Sequence, residues 1–191
     1  MKVPIREIPC HRRFELPGQF VGRAVSGLPM RAVLERPDDD PSAGGGAAEL
    51  DLTMEDRNVF VRGHLDGWVE VACSRCVGPL KLVVAEPIAV TFLPHAEVVA
   101  KDDPEEPGGD EVEPASFDED DMDVYSYEGD EVDLEPLLRE QVILAVPFAP
   151  LCSEDCKGLC PVCGTDLNTG SCTCDRTPID PRWAALRNLK P

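Results

Sequence analysis

The chain has 191 residues, of which 42% are hydrophobic and 5% aromatic. This length allows one domain with a small appendage and excludes two large domains. The net charge of -19 excludes binding to nucleic acid through the overall charge, because counterion release requires many basic groups. No stretch reaches the roughly 20 apolar residues of a membrane span, and residues 1–16 carry no apolar run typical of a signal peptide. We expect a soluble, cytoplasmic protein without a membrane partner.

We predict an α+β architecture, in which residues 1–128 form an antiparallel, barrel-like β-sheet. Two breaks interrupt this region. Residues 37–48 are rich in proline, glycine and aspartate and are predicted to be a flexible linker. Residues 101–121 are predicted to be a disordered acidic loop, because they hold few large apolar groups to bury. They belong to the stretch Lys101–Glu135, which contains 17 acidic residues and one basic residue.

The strongest strand signal lies between these two breaks. Residues 58–72 alternate between apolar and polar side chains, which indicates a strand with one buried face. That face consists of Val59, Val61, Leu65, Val69 and Val71. Residues 80–93 are rich in branched apolar side chains, and Pro87 marks an edge or a bulge there. The turn from Cys73 to Pro79 is predicted to join the two strands as a hairpin.

Residues 129–191 are predicted to hold a helix, a cysteine-rich zinc-binding coil and a short C-terminal helix. The first helix falls within Asp133–Ala145, with a cap at Asp133 and Pro136 in the first turn. Its apolar stripe is Leu134, Leu137, Leu138, Val142 and Ala145. The second helix opens at Asp180-Pro181 and directs Trp183, Leu186 and Leu189 inward.

Eight of the nine cysteines fall into four short-spaced pairs, and Cys10 stands alone. The eight candidate metal ligands are Cys73, Cys76, Cys152, Cys156, Cys160, Cys163, Cys172 and Cys174. Four thiolates from two such pairs provide the tetrahedron that structural zinc requires. An odd cysteine count without an export signal argues against a disulfide framework. We therefore expect one or two structural zinc ions.

The pairing we favour places Cys160, Cys163, Cys172 and Cys174 around one ion. The remaining four cysteines would then hold a second ion and tie the hairpin to the C-terminal segment. In the alternative, Cys156 joins Cys160 and Cys163 in a single cluster, and Cys152 or one cysteine of the last pair is left free. The turns at 73–78 and 160–164 both have the character of zinc knuckles, and Gly164 permits a positive φ.

Few features of the sequence indicate catalysis. All-sulfur sites leave no ligand position open for a reactive water, and the histidines His11, His64 and His95 lie at no motif spacing. A redox dithiol at Cys73 and Cys76 is the alternative, but that motif usually joins a strand to a helix in a βαβ unit. We expect no enzymatic activity, no small-molecule substrate and no catalytic residues.

Four further motifs stand out in the sequence. Three of them are D-x-x-P-x-x-R-E-Q-V-I-L-A-x-P at 133–147, G-L-C-P-x-C-G at 158–164, and D-P-R-W-x-x-L at 180–186. The fourth is C-S-R-C at 73–76. Together these motifs resemble the YceD family. The resemblance implies a role in the synthesis, processing or stability of 23S ribosomal RNA. It brings no enzymatic activity and no established RNA-contacting residue.

We therefore expect a non-enzymatic, zinc-binding factor in large ribosomal subunit biogenesis, with large-subunit rRNA or a ribosomal protein as its partner. The acidic stretch is either an inert solvated loop or a shield for a basic ribosomal protein. Near the metal turns, Arg75, Arg176 and Arg182 either contact phosphate or are held locally by the thiolates. The alternative function is that of a zinc-stabilised protein-binding adaptor without a ribosomal role.

Overall fold

A computed structural model describes residues 1–28, 37, 40–95 and 124–175 of the chain. These residues form seven strands and two helices. The strands are β1 (Lys2–Pro4), β2 (Cys10–Leu16), β3 (Gly44–Glu55), β4 (Asn58–Ala72), β5 (Pro79–Pro94), β6 (Val124–Tyr127) and β7 (Glu131–Asp133). The helices are α1 (Gly18–Val25) and α2 (Glu135–Leu144). The predicted acidic loop 101–121 and the C-terminal helix from Asp180 lie outside the described residues.

The main sheet has five strands in the order β2-β3-β4-β5-β6 and does not close. Strands β2 to β5 run antiparallel, but β6 pairs with the end of β5 in parallel. A parallel neighbour requires a long connection, and residues 95–123 supply its length. Strands β1 and β7 form a separate two-stranded sheet. The α+β class is confirmed, and the sheet is an open, mixed one rather than a wholly antiparallel barrel.

The predicted hairpin of β4 and β5 is confirmed, with Ala72 opposite Pro79 beside the turn. All five apolar residues of the predicted β4 face are at most 1% exposed. Pro87 lies opposite His64, while β6 pairs with β5 only from Thr91 onward. No described strand pairs with the outer side of β5 at Pro87, which suits a residue without a backbone donor.

Strand β3 occupies part of the stretch predicted to be a flexible linker, so that prediction is wrong for Gly44–Ala48. Glycine is required here because the backbones of β3 and β4 come close together, and not because the chain is flexible. Gly46 lies opposite Gly67 of β4, and a Cβ atom at Gly46 would stand 2.4 Å from the Asp66 carbonyl oxygen. A glycine-rich run thus forms strand because two backbones meet where a side chain would not fit.

Helix α1 is a feature that the sequence prediction missed. Its buried side chains Phe20, Val21, Ala24 and Val25 recur with helical spacing. A helix of eight residues is marginal without tertiary support, and α1 obtains that support from the shared core with α2 and β3. No helix in the described ranges is long and apolar enough to cross a membrane.

Helix α2 confirms the predicted helix and its apolar stripe. Leu134, Leu137 and Leu138 are 0% exposed and belong to the core formed with the inner face of the sheet. Pro136 lies in the first turn, where its missing donor is harmless. The helix ends before Pro147, so the chain leaves the core and continues to Cys152.

Asp133 stabilises the start of α2, although the residue at the N-cap position is Leu134. The Glu135 backbone N–H donates to Asp133 Oδ1 at 3.0 Å, and the Met1 ammonium lies 3.3 Å from the same oxygen. Burial would raise the pKa of Asp133, but these two contacts outweigh it and hold the pKa below its ordinary value of 3.8. The carboxylate therefore stabilises the folded state above that pH, and the stabilisation is lost as the pH falls through the lowered value.

We expect Asp133→Ala to lower the free energy of unfolding by about 1 kcal/mol at neutral pH, as removal of a helix cap does. Asp133→Asn is the matched control, because its Oδ1 still accepts from Glu135. The difference between the alanine variant and the wild type should shrink below pH 3.8. Urea unfolding at pH 7 and pH 3 measures both effects, and equal stability of the alanine variant and the wild type at pH 7 would refute the capping role.

Candidate metal centre

The hairpin turn and the segment after α2 together form the first cysteine cluster. Cys73 and Cys76 lie in the turn between β4 and β5, and Cys152 and Cys156 lie beyond the end of α2. The Ser74 N–H donates to the Pro150 carbonyl at 2.8 Å and joins the two segments. The four Sγ atoms of this set, here called cluster A, all lie within 4.8 Å of one another.

The spacing of cluster A fits a tetrahedral ion. Cys73 Sγ lies 3.8 Å from Cys156 Sγ, and Cys76 Sγ lies 3.7 Å from Cys152 Sγ. Four sulfurs at roughly 2.3 Å from a central ion would be about 3.8 Å apart. A disulfide requires a much shorter distance, and all nine cysteines are free thiols. The donor set can therefore hold a soft divalent metal.

The second set of four cysteines comes from one short segment. The Sγ atoms of Cys160, Cys163, Cys172 and Cys174, here called cluster B, also lie within 4.8 Å of one another. The structure thus groups the eight cysteines in the pairing that we favoured, and Cys156 belongs to cluster A. Cluster A has two buried members, whereas Cys160 is the one buried member of cluster B.

Hydrogen bonds divide the thiols of each cluster into easily and poorly ionised ones. Burial would raise the pKa of Cys73, but N–H groups that include those of Cys152 and Arg75 lower it to about 6. The neighbouring thiol of Cys156 raises the pKa of Cys152 to about 12. In cluster B, the Thr165 hydroxyl lowers the pKa of Cys163 to about 6, and Cys163 in turn raises the pKa of Cys174 to about 12.

These opposite shifts come first from hydrogen bonds between neighbouring thiols, and repulsion between like charges adds to them. Each cluster ionises its first thiol readily, and a thiol that donates to that thiolate keeps its proton. A divalent cation at the centre of the four sulfurs would remove that repulsion, because it makes ionisation of every thiol favourable. The chemistry of both donor sets therefore fits a bound metal ion.

The knuckle turns of the two clusters share one backbone conformation. In cluster B, Gly164 follows the second cysteine of the turn with φ +73°, which confirms its predicted positive φ. In cluster A, the equivalent residue is Val77 with φ +64°, and Gly78 comes one position later. A β-branched residue is rare in this left-handed region. The turn at cluster A is thus held in place against the local preference of Val77.

Arg75 holds the two cysteine segments together by local contacts. Its Nη1 donates to the carbonyl oxygens of Glu154 and Cys156, at 3.0 Å each. Its own carbonyl accepts from the Leu159 N–H at 3.0 Å. The guanidinium of Arg75 is thus held locally, but by backbone carbonyl oxygens and not by the thiolates that the sequence analysis considered. Arg176 and Arg182 lie outside the described residues.

Gly158 allows this close approach between the segments. It has φ +71°, and a Cβ there would stand 2.8 Å from the Arg75 carbonyl oxygen. Gly164 has a similar φ, but a Cβ there would meet nothing within 4 Å. The two glycines therefore share a backbone conformation, but a side chain would fit at Gly164 and would clash at Gly158.

We expect Gly158→Ala to destabilise the protein more than Gly164→Ala does. The control variant should lower the free energy of unfolding by about 1 kcal/mol, the cost of a left-handed alanine. Gly158→Ala adds a clash with the backbone, and we expect about 2–3 kcal/mol in total. Urea unfolding of the metal-loaded chains compares them, and equal losses would contradict the close contact at Arg75.

Asn168 is a residue of this region that sequence reasoning missed. It lies in the loop of cluster B, and its Nδ2 donates to Cys156 Sγ of cluster A at 3.5 Å. The signal in the sequence is Asp166-Leu167-Asn168, a pattern in which an aspartate caps a backbone N–H two residues ahead. That bond is present, from Asn168 N to Asp166 Oδ1 at 2.9 Å.

The remaining candidates lie outside the two clusters. His11 Nδ1 lies 2.9 Å from an Asp51 oxygen, and His64 Nε2 lies 3.1 Å from an Asp66 oxygen, both on the exposed face of the sheet. Among the described residues, the groups of three or more potential metal-binding side chains are clusters A and B. Cys10 is half-buried in β2 and belongs to neither.

Comparison with known proteins relates the chain to one family. The family model described as "Large ribosomal RNA subunit accumulation protein YceD" matches residues 61–190, a span that contains all eight clustered cysteines. An uncharacterized protein of Mycobacterium tuberculosis is 31% identical over 144 residues, which cover 74% of this chain and 61% of that protein. The chain thus spans about six tenths of the length of this relative. No solved structure matches.

Two plant relatives match over shorter stretches. A protein of Arabidopsis thaliana named "Large ribosomal RNA subunit accumulation protein YCED homolog 1, chloroplastic" is 35% identical over 60 residues, 31% of this chain and 19% of the relative. A protein of the same name from Zea mays is 42% identical over 45 residues, 23% of this chain and 15% of the relative.

Proposed function

Because this chain belongs to the YceD family, we propose that it acts in large ribosomal subunit biogenesis and supports the synthesis, processing or stability of 23S rRNA. The observation that carries the proposal is the family match over residues 61–190. That span holds β5, α2 and both cysteine clusters. The names of the Arabidopsis and maize relatives refer to accumulation of the large ribosomal RNA subunit.

The same proposal includes zinc as the metal of both clusters. Four thiolates in a tetrahedron are the donor set of structural zinc sites, and the sulfur spacing in cluster A matches it. In each site, four protein ligands would leave no position for a reactive water. We therefore propose a structural role for the zinc and a non-enzymatic role for the protein.

The proposed partner is large-subunit rRNA or a ribosomal protein bound to it. The net charge of -19 would repel RNA at long range, so an RNA contact has to be local. The same charge would accelerate encounter with a basic ribosomal protein.

A depletion experiment tests this function. In cells that lack the chain, we expect the ratio of 23S to 16S rRNA to fall, and the tagged chain should cosediment with large-subunit precursors. Wild-type chain and Cys10→Ser should restore the ratio, whereas Cys156→Ser should not. Normal rRNA in depleted cells, with the chain found only in free fractions, would contradict the proposal and favour an adaptor without a ribosomal role.

A further inference from the structure

Asn168 makes a contact that connects the two cysteine clusters. It belongs to the loop between Cys163 and Cys172, which cluster B closes. Its side chain nevertheless reaches cluster A, where Nδ2 donates to Cys156 Sγ at 3.5 Å and Oδ1 accepts from the Lys157 N–H at 2.7 Å. Asn168 thus lies in the loop of cluster B and contacts a sulfur of cluster A.

The orientation of the Asn168 amide is determined by its neighbours. A backbone N–H can only donate, so Lys157 requires the oxygen of the amide on its side. The NH2 group must then face Cys156 and Asp166. Asp166 Oδ1 accepts from this Nδ2 at 2.8 Å and from the Asn168 backbone N–H at 2.9 Å. The hydrogen bond to the sulfur is therefore built into the loop.

Backbone hydrogen bonds fold the loop of cluster B, which carries Asn168, back toward cluster A. The Cys160 N–H donates to the Thr165 carbonyl at 2.8 Å, and the Leu167 N–H donates to the Gly158 carbonyl at 2.9 Å. These bonds fold the loop back toward cluster A while cluster B holds its two ends. Cys163 and Cys172 flank this loop, so metal in cluster B would restrain both of its ends and add to the hydrogen bonds that keep Asn168 beside Cys156.

We infer that Asn168 is a positioning residue that couples the two clusters, so that metal in cluster B raises the metal affinity of cluster A. The inference rests on the proposed metal binding. An N–H that donates to a ligating thiolate stabilises its charge and fixes its orientation, and such outer contacts change metal affinity by about 10- to 100-fold. Coupling between two sites is reciprocal, so metal in cluster A raises the affinity of cluster B equally.

Zinc competition with a chromophoric chelator on the full chain tests the coupling. We expect Asn168→Ala to lower the zinc affinity of cluster A by about 10-fold. Asn168→Asp keeps an oxygen for Lys157 but has no N–H for Cys156, and it should lose at least as much. Thr169→Ser, in the same loop, is the control, because it keeps the hydroxyl that donates to Asp166, and it should bind zinc as the wild type does. Unchanged affinity in both Asn168 variants would overturn the inference.

A double-mutant cycle separates coupling from a local effect. Cys172→Ser with Cys174→Ser disables cluster B and should lower the affinity of cluster A by the same factor as Asn168→Ala. Combining the three substitutions should lower it no further, whereas additive losses would overturn the inference. In the cobalt-loaded protein, the sulfur-to-cobalt charge-transfer band should shift in Asn168→Ala and stay in place in Thr169→Ser. A shift in neither variant would contradict the hydrogen bond to the sulfur.

These outcomes distinguish the inference from the proposed function. Two zinc ions per chain with additive losses would refute the coupling and leave the metal sites standing. A chain that binds no zinc in either cluster would refute the coupling and the zinc part of the proposed function, whereas the ribosomal role is tested separately by the rRNA ratio in depleted cells.

Discussion

Replacing Cys156 with serine is expected to remove one metal ion per chain and to unfold the segment that follows α2. Cys156 is 4% exposed and supplies the sulfur that both Cys73 and Asn168 contact. The buried positions within residues 150–175 are Pro150, Cys156, Gly158 and Cys160, so this segment buries no large apolar side chain and we expect metal to substitute for a core there. The apparent binding free energy of structural zinc is about 10–16 kcal/mol in small domains, which makes this a large effect.

Native mass spectrometry and limited proteolysis measure this prediction. Cys156→Ser should hold one ion fewer than the wild type and be cleaved rapidly within residues 150–175. The sheet has its own core and should stay protected. Cys10→Ser is the matched control, because Cys10 belongs to neither cluster, and it should keep the full metal content. A Cys156→Ser chain with unchanged metal content and unchanged cleavage would refute the proposal that metal in cluster A ties residues 150–175 to the turn between β4 and β5.

The second large effect is expected from Leu138→Ala. Leu138 is 0% exposed, in the helix that joins the sheet to cluster A. Deleting a buried leucine side chain leaves a cavity, and we expect a loss of about 3 kcal/mol in the free energy of unfolding. Because marginal stability is only about 5–15 kcal/mol, such a loss would lower the abundance of the protein in cells.

Leu144→Ala in the same helix provides the control for Leu138→Ala. Leu144 is 68% exposed, so its truncation should change stability by no more than about 0.5 kcal/mol. Urea unfolding followed by circular dichroism compares the two variants. Similar losses in both would show that α2 does not pack as described.

The sequence predicted those features that local patterns determine. The alternation in residues 58–72 indicated β4 and its buried face, and the helical stripe from Leu134 to Val142 indicated α2. The grouping of the cysteines also followed from spacing, because the pairs of cluster B lie close enough along the chain to close one loop. The other four cysteines, two in the hairpin turn and two after α2, were then assigned to a second site.

The features that were missed depend on tertiary contacts. Helix α1 is too short for its pattern to outweigh the strand signals around it, and it is stabilised by packing against α2. Gly46 looked like part of a linker because only the approach of β4 shows why a glycine is required there. The parallel pairing of β6 with β5 joins segments that lie far apart in the sequence, so no local pattern indicates it. The role of Asn168 depends on a loop that folds back onto a different cluster.

Metal in both four-cysteine clusters is what we propose orders residues 150–175. Native mass spectrometry of the intact chain, purified without added metal, measures this. We expect a mass increase equal to two zinc ions per chain, and release of both by a chelator should expose residues 150–175 to protease. A metal-free chain whose residues 150–175 still resist the protease would refute metal-dependent ordering of this segment.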